Sequence, residues 1–221
     1  MVSEAQSLGD NETLEKVFIQ GMRFITLIDG SVLVFIAVFS QQILGLWINP
    51  DFASQSWFLL ILTAMGYIFY ALSITPYHIL LGMGRPKMLA VFNLVTTLSV
   101  ILGLYIGVTW FGLVGGCVGA MLGFLTAAIM PIYVQNVLRI SWTKAFNQSY
   151  GRTVLITTGA AFLSMLLPHF IEIRIVFFAV FIVTLILLGN IQPEDWKLLQ
   201  RQWKQTTTQI VILRDQIAHR N

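Results

Sequence analysis

Charge is what this chain has least of. Of its 221 residues only 10% are Asp, Glu, Lys or Arg, against about 25% in a soluble domain, while 57% are hydrophobic. Residues 30–50, 52–84, 88–138 and 153–171 hold no Asp, Glu, Lys or Arg. A soluble core of this size would need polar faces recurring along each helix, and these stretches lack them. A closed β-barrel would need alternating segments of about 10 residues, which are missing as well. Cysteine is nearly absent too. Cys117 stands alone, which excludes an internal disulfide and a cysteine-based metal centre. His78, His169 and His219 fall in separate segments, away from ligand spacing. Asp29-Gly30-Ser31 offers a serine without a histidine placed to act as its base, and the glycines of "GLVGGCVG" follow no strand that would make them a phosphate loop. The expectation is therefore no enzyme, no metal, no cofactor and no nucleic-acid partner.

What is present is uncharged length. A span takes about 20 apolar residues, which gives six candidates: 24–48, 57–81, 89–109, 113–137, 154–167 and 173–191, the last two short. The expected fold class is all-α, a polytopic helical membrane protein of about six transmembrane helices. The chain divides into a cytoplasmic amphipathic lead-in (1–23), a four-helix transmembrane core (24–138), a cytoplasmic loop (139–153), an additional transmembrane hairpin (154–191) and a cytoplasmic amphipathic tail (192–221). Asp10, Glu12, Glu15 and Lys16 make the lead-in unlike a cleavable signal peptide, so the first span serves as the insertion signal. Of the 13 Lys and Arg residues only Arg174 falls opposite the others, a positive-inside bias that places both termini in the cytoplasm. "GMGRPK" is then a cytoplasmic turn: Gly84 and Pro86 break the helix, and Arg85 and Lys87 reach anionic headgroups.

A few positions inside the apolar stretches stand out. Gly115, Gly119 and Gly123 recur every four residues, as do Ser99, Gly103 and Gly107 on the preceding span. Each set shares one helix face, so this hairpin should pack closely against itself or a neighbour, as a fixed seam or as a sliding surface. Asp29 lies inside the first span with Arg23 six residues before it. It is read as a transport or proton site, or as an interfacial carboxylate reaching water at the rim. Pro76 should kink the second span and Pro131 the fourth. His78 either titrates near neutral pH or seeks the interface. Asn93 either bonds across helices or lines a cavity. Beyond residue 190 the composition turns polar. Trp196 and Trp203 share a face beside Lys197, Arg201 and Lys204, the pattern of a helix on the membrane surface, with a solvated helix or a partner-binding one as alternatives.

Several motifs in order, "VSEAQSLGDNETLEKVFIQGMRFITLI", "FSQQILGLWINPDFASQSWFLLIL", "LLGMGRPKMLAVFNLV" and "WFGLVGGCVGAMLGFLTAAI", resemble the later half of bacterial polysaccharide-biosynthesis flippases. These are the O-antigen and lipid-linked-oligosaccharide translocases of the multidrug/oligosaccharidyl-lipid/polysaccharide exporter superfamily. The resemblance covers roughly residues 2–137. It implies an inner-membrane transporter in which two repeated bundles enclose a polar cavity and rock to move an undecaprenyl-pyrophosphate-linked oligosaccharide outward. It carries Arg85, Lys87, Asn93, Gly115 and Gly119 over as matched positions. Family members have twelve or more spans, so this chain is expected to be the C-terminal part of such a transporter, incomplete alone and partnered by an N-terminal half or a second copy. Two alternatives are a cation-coupled multidrug exporter of the same superfamily, using Asp29 or His78, and a non-transporting membrane scaffold for polysaccharide synthesis.

Overall fold

The computed structural model describes residues 11–168 and 170–188. The described residues form helices joined by short turns and loops, without a strand. The protein is an all-α polytopic membrane protein. The tail residues Trp196, Lys197, Arg201, Trp203 and Lys204, and His169, lie outside the described residues.

Helix α1, Asn11–Val38, is the axle of the bundle. It runs without a break through residues 23 and 24, and Arg23 is buried within it. Its first half packs Leu14, Phe18 and Met22 against Ile79 and Leu80, Met130 and Val134, and Ala145. Its second half packs Val34, Ala37 and Val38 against Ile61, Ala64 and Ile68, Ala160 and Ala161, and Phe181 and Leu185. Two glycines let neighbours come close: a Cβ at Gly21 would strike the Thr75 methyl, and one at Gly30 the Thr157 methyl. Side chains of six other helices thus gather around one helix, which is how the apolar faces are covered.

The first expected span, 24–48, is divided. The helix ends at Val38, and a separate short helix α2, Ser40–Trp47, follows and packs on α3, Pro50–Ala71. The carbonyl at that end is met from far along the chain. Arg174, fully buried, donates from Nη1 to the Val38 carbonyl and from Nε to the Pro168 carbonyl at 3.3 Å. A guanidinium at the carbonyl end of α1 satisfies an orphan acceptor and complements the helix dipole, which has no basic residue of its own in that last turn. The next helix starts cleanly: the Asn49 side chain accepts from the Phe52 N–H at 2.7 Å, Pro50 opens α3 and Asp51 sits in its first turn.

Among the described residues, four helical stretches are long and apolar enough to cross a membrane: Glu12–Val38, Pro50–Gly82, Pro86–Val137 and Ile171–Leu188. The third has 52 residues, about 78 Å if straight, far beyond a hydrocarbon core of about 30 Å. It folds instead. Gly112, at φ 65° and ψ −156°, turns α5, Pro86–Leu125, into two arms. The arms meet along the glycines: a Cβ on Gly103 or Gly107 would overlap the backbone of Gly119 or Gly115, and one on Gly123 the backbone at Ser99 and Val100. The hairpin therefore packs against itself. A 3₁₀ turn, Thr126–Ala128, leads into α6, Ile129–Val137, with Pro131 as its third residue. A short α7, Trp142–Gln148, then α8, Gly151–Ser164, and α9, Ile171–Leu188, complete the described chain. At 14 residues α8 spans about 21 Å, short of a full crossing by itself.

Replacing Gly107 or Gly119 by Leu should lower bundle stability by roughly 1–3 kcal/mol, as overpacking does, seen as an earlier midpoint in SDS-induced unfolding. Gly159→Ala, where a Cβ meets open space, should leave the midpoint unchanged or raise it by up to about 1 kcal/mol. Equal effects at the three sites would contradict the seam.

Candidate functional site

The site grows from a break in the second apolar stretch. Pro76 has no N–H to give the Leu72 carbonyl, and the helix is interrupted at Leu72 and Ser73 before resuming as α4, Ile74–Gly82. The Ser73 hydroxyl turns back to the Tyr70 carbonyl at 2.7 Å, and the Tyr77 N–H reaches the Ser73 carbonyl at 2.9 Å. Pro131 repeats the pattern: it too stands third in its helix, directly after an irregular turn.

At the break a groove opens between α1, α3 with α4, and the first arm of α5. It has two adjoining recesses that share Tyr70 and Ile74. The larger, about 520 Å³, is lined further by Ser73, Tyr77, His78, Asn93, Thr96 and Thr97. The smaller, about 310 Å³, is lined further by Asp29, Val32, Leu33, Tyr67 and Ala71. Asp29, His78 and Asn93, far apart in sequence, thus border one groove. The side chains of Asp29 and Asn93 form no ion pair or hydrogen bond with other described residues. The His78 ring stands edge-on to Tyr77 at 5.5 Å. Tyr67 and Tyr70 both contact Phe124 of the second arm, at 5.2 and 5.5 Å between ring centroids. The Thr126 hydroxyl donates to Thr96 at 3.2 Å, linking the arms beside the groove.

Other sequence candidates lie elsewhere. Arg23 lines neither recess. Arg85 and Lys87 are exposed at the 82–87 turn, where Gly84 at φ 63° ends α4 and Arg85 donates to the Tyr133 hydroxyl at 3.5 Å. Arg85 precedes Asn93 by eight residues, about 12 Å along the helix axis. A still larger recess, about 750 Å³, follows the glycine seam, with Ser99 and Thr126 its only polar side chains. Sequence reading missed Tyr67, Tyr70, Ser73, Thr96 and Thr97. Asn93, Thr96 and Thr97 share a helix face at i, i+3 and i+4, and that spacing in an apolar stretch was the available signal.

Residues 1–106 match the MatE family. MatE proteins are membrane transporters of the multidrug/oligosaccharidyl-lipid/polysaccharide exporter superfamily, so the likeness is to transporters. The MatE match ends within the first arm of α5 and includes every residue lining either recess of the groove. No curated protein and no solved structure matches the chain.

The groove predicts a water-accessible stripe on an otherwise lipid-facing helix. In a Cys117→Ser background, Thr97→Cys should react with a membrane-impermeant maleimide, while Leu102→Cys, about 140° around the same helix, should not. Equal protection of both positions would remove the groove from aqueous contact.

Proposed function

We propose that this bundle forms one wall of a transport cavity through which the polar head of a lipid-linked oligosaccharide passes from the cytoplasmic to the outer leaflet of a bacterial inner membrane. One observation carries the reading: hydroxyl and amide groups of Tyr70, Ser73, Tyr77, Asn93, Thr96 and Thr97 gather in a groove within helices otherwise fit for hydrocarbon. Ser73 and Thr96 already have partners within the bundle; lipid cannot satisfy the remaining groups of Tyr70, Tyr77, Asn93 and Thr97, which favours a polar occupant. Neutral donors and acceptors flanked by tyrosine faces suit the hydroxyls and ring faces of sugars. Arg85 and Lys87 suit the pyrophosphate near the cytoplasmic rim, where the positive-inside bias also keeps both termini. The substrate's acyl tail stays in the bilayer.

The groove is open to one side, with His78, Asn93 and Thr97 exposed. A second wall is needed, supplied by an N-terminal half or by a second copy of the chain. The bundle does not flip lipid without it.

A second reading rests on Asp29, a carboxylate in the smaller recess beside Tyr67 and Tyr70. Such a group suits ion coupling in a multidrug exporter. The two readings separate in cells expressing the transporter that contains this chain. Under the first, Asn93→Leu with Thr97→Val removes two hydrogen bonds of about 1 kcal/mol each and lowers surface polysaccharide export roughly thirtyfold. Unchanged polysaccharide, with pH- or sodium-dependent drug efflux lost in Asp29→Asn, would move the assignment to the second. Loss of polysaccharide on deleting 193–221 alone, with both groove variants active, would leave a scaffold.

A further inference from the structure

The 139–153 segment joins the end of α6 to the start of α8 through α7, a helix of seven residues. The Ser141 side chain caps it, accepting from the Lys144 N–H at 3.3 Å. With 3.6 residues per turn, Trp142 and Phe146 share one flank, 56% and 46% exposed. Thr143, Lys144 and Asn147 occupy the opposite flank, also exposed. The third side is fixed. Ala145 is buried in the core beneath α1, Lys144 Nζ meets Glu15 at 2.5 Å, and the Ser149 hydroxyl donates to the Ile19 carbonyl at 3.3 Å. Burial raises the Tyr150 phenol above its usual range. It stays protonated and donates to Gln135 Oε1 at 3.3 Å.

We infer that the aromatic flank of α7 is seated in the headgroup layer of the bilayer, with anionic lipid as its occupant. α7 leaves directly from the end of the 86–137 stretch, so it lies where a membrane-length helix emerges from hydrocarbon. Trp142 and Phe146 on one flank and polar residues on the other are the division such a layer selects. Within the segment itself, 139–171, there is no Asp or Glu; Lys144 is paired with Glu15 of α1, which leaves Arg139 and Arg152, both exposed, as the cations facing the headgroups. Arg139 adds a separate argument. It adopts φ 56° at the end of α6, where the Ile140 N–H reaches the Gln135 carbonyl at 3.0 Å. Glycine takes that left-handed position without strain, whereas a residue with a Cβ is strained there. A cation stands at a place where the backbone favours glycine, pointing to a role for its charge. Phe146 lies over Gly151, where a Cβ would strike its ring, so the flank is held in shape before any lipid arrives. The seat thereby fastens α1, which carries Asp29, to the membrane surface through Lys144 and Ser149.

Nitroxide labels in the full chain test this, in a Cys117→Ser background and in vesicles of phosphatidylethanolamine with phosphatidylglycerol. Ile101→Cys, on the exposed face of α5, is the deep reference. The Trp142→Cys label should sit about 5–10 Å into the headgroup–acyl boundary, and the Asn147→Cys label should face water. Omitting phosphatidylglycerol should move the Trp142→Cys label outward. The inference is overturned if that label reads water as Asn147→Cys does, or is shielded from both oxygen and aqueous relaxants as in a protein contact, or keeps its depth without anionic lipid. A shallow Ile101→Cys label would overturn the membrane-spanning reading along with it.

Discussion

Two helix backbones can touch only where neither carries a side chain, and the architecture depends on that constraint at the α5 seam. Gly103 faces Gly119 and Gly107 faces Gly115, each pair so close that a methyl group would enter the opposite backbone. In lipid there is little hydrophobic force to bring helices together, so close van der Waals packing has to do it. The seam folds an overlong apolar helix back on itself. It also sets the second arm against α3, where Gly66 leaves room for Phe124 and the Met121 backbone. The first arm is then carried alongside the α3–α4 break.

From that placement the groove follows. The break at Leu72 and Ser73 comes from a proline; Asn93, Thr96 and Thr97 come from the seam-positioned arm; Asp29 comes from the central helix. Each is a local consequence of sequence, but their meeting is tertiary. The opposite end of α1 is organised by a different contact, the buried Arg174 guanidinium on the Val38 carbonyl. Arg174 is also the cation that stands apart from the others in the sequence, and the structure gives it a local task at the end of a helix. The remaining surface cations of the described chain gather toward the other end, where Lys144 pairs with Glu15.

How much of this could be read beforehand varies by feature, for physical reasons. Helical membrane character follows from composition, because hydrocarbon admits few charges over a span. The glycine seam was visible as a four-residue spacing, though spacing alone could not say whether the hairpin packs on itself or on a neighbour. The breaks near Pro76 and Pro131 follow from a missing N–H. The end of α1 at Val38 was not legible, since the group that meets its carbonyl, Arg174, lies outside any local window. The groove was half legible: Asp29, His78 and Asn93 were singled out one by one as polar residues in apolar surroundings, while the tyrosines and threonines beside them look ordinary in isolation. The seat of α7 went unread because seven residues give too short a window for an amphipathic pattern.

The central claim is that residues 86–137 cross the bilayer twice, turning at Gly112. Site-directed labelling with an impermeant thiol reagent from each side of sealed, oriented vesicles tests it most directly, with single cysteines at positions 84, 112 and 141 in a Cys117→Ser background. The hairpin requires positions 84 and 141 to react from one side and position 112 from the other. Positions 84 and 141 reacting from opposite sides would mean an odd number of crossings between them, and neither the seam nor the groove would survive that result.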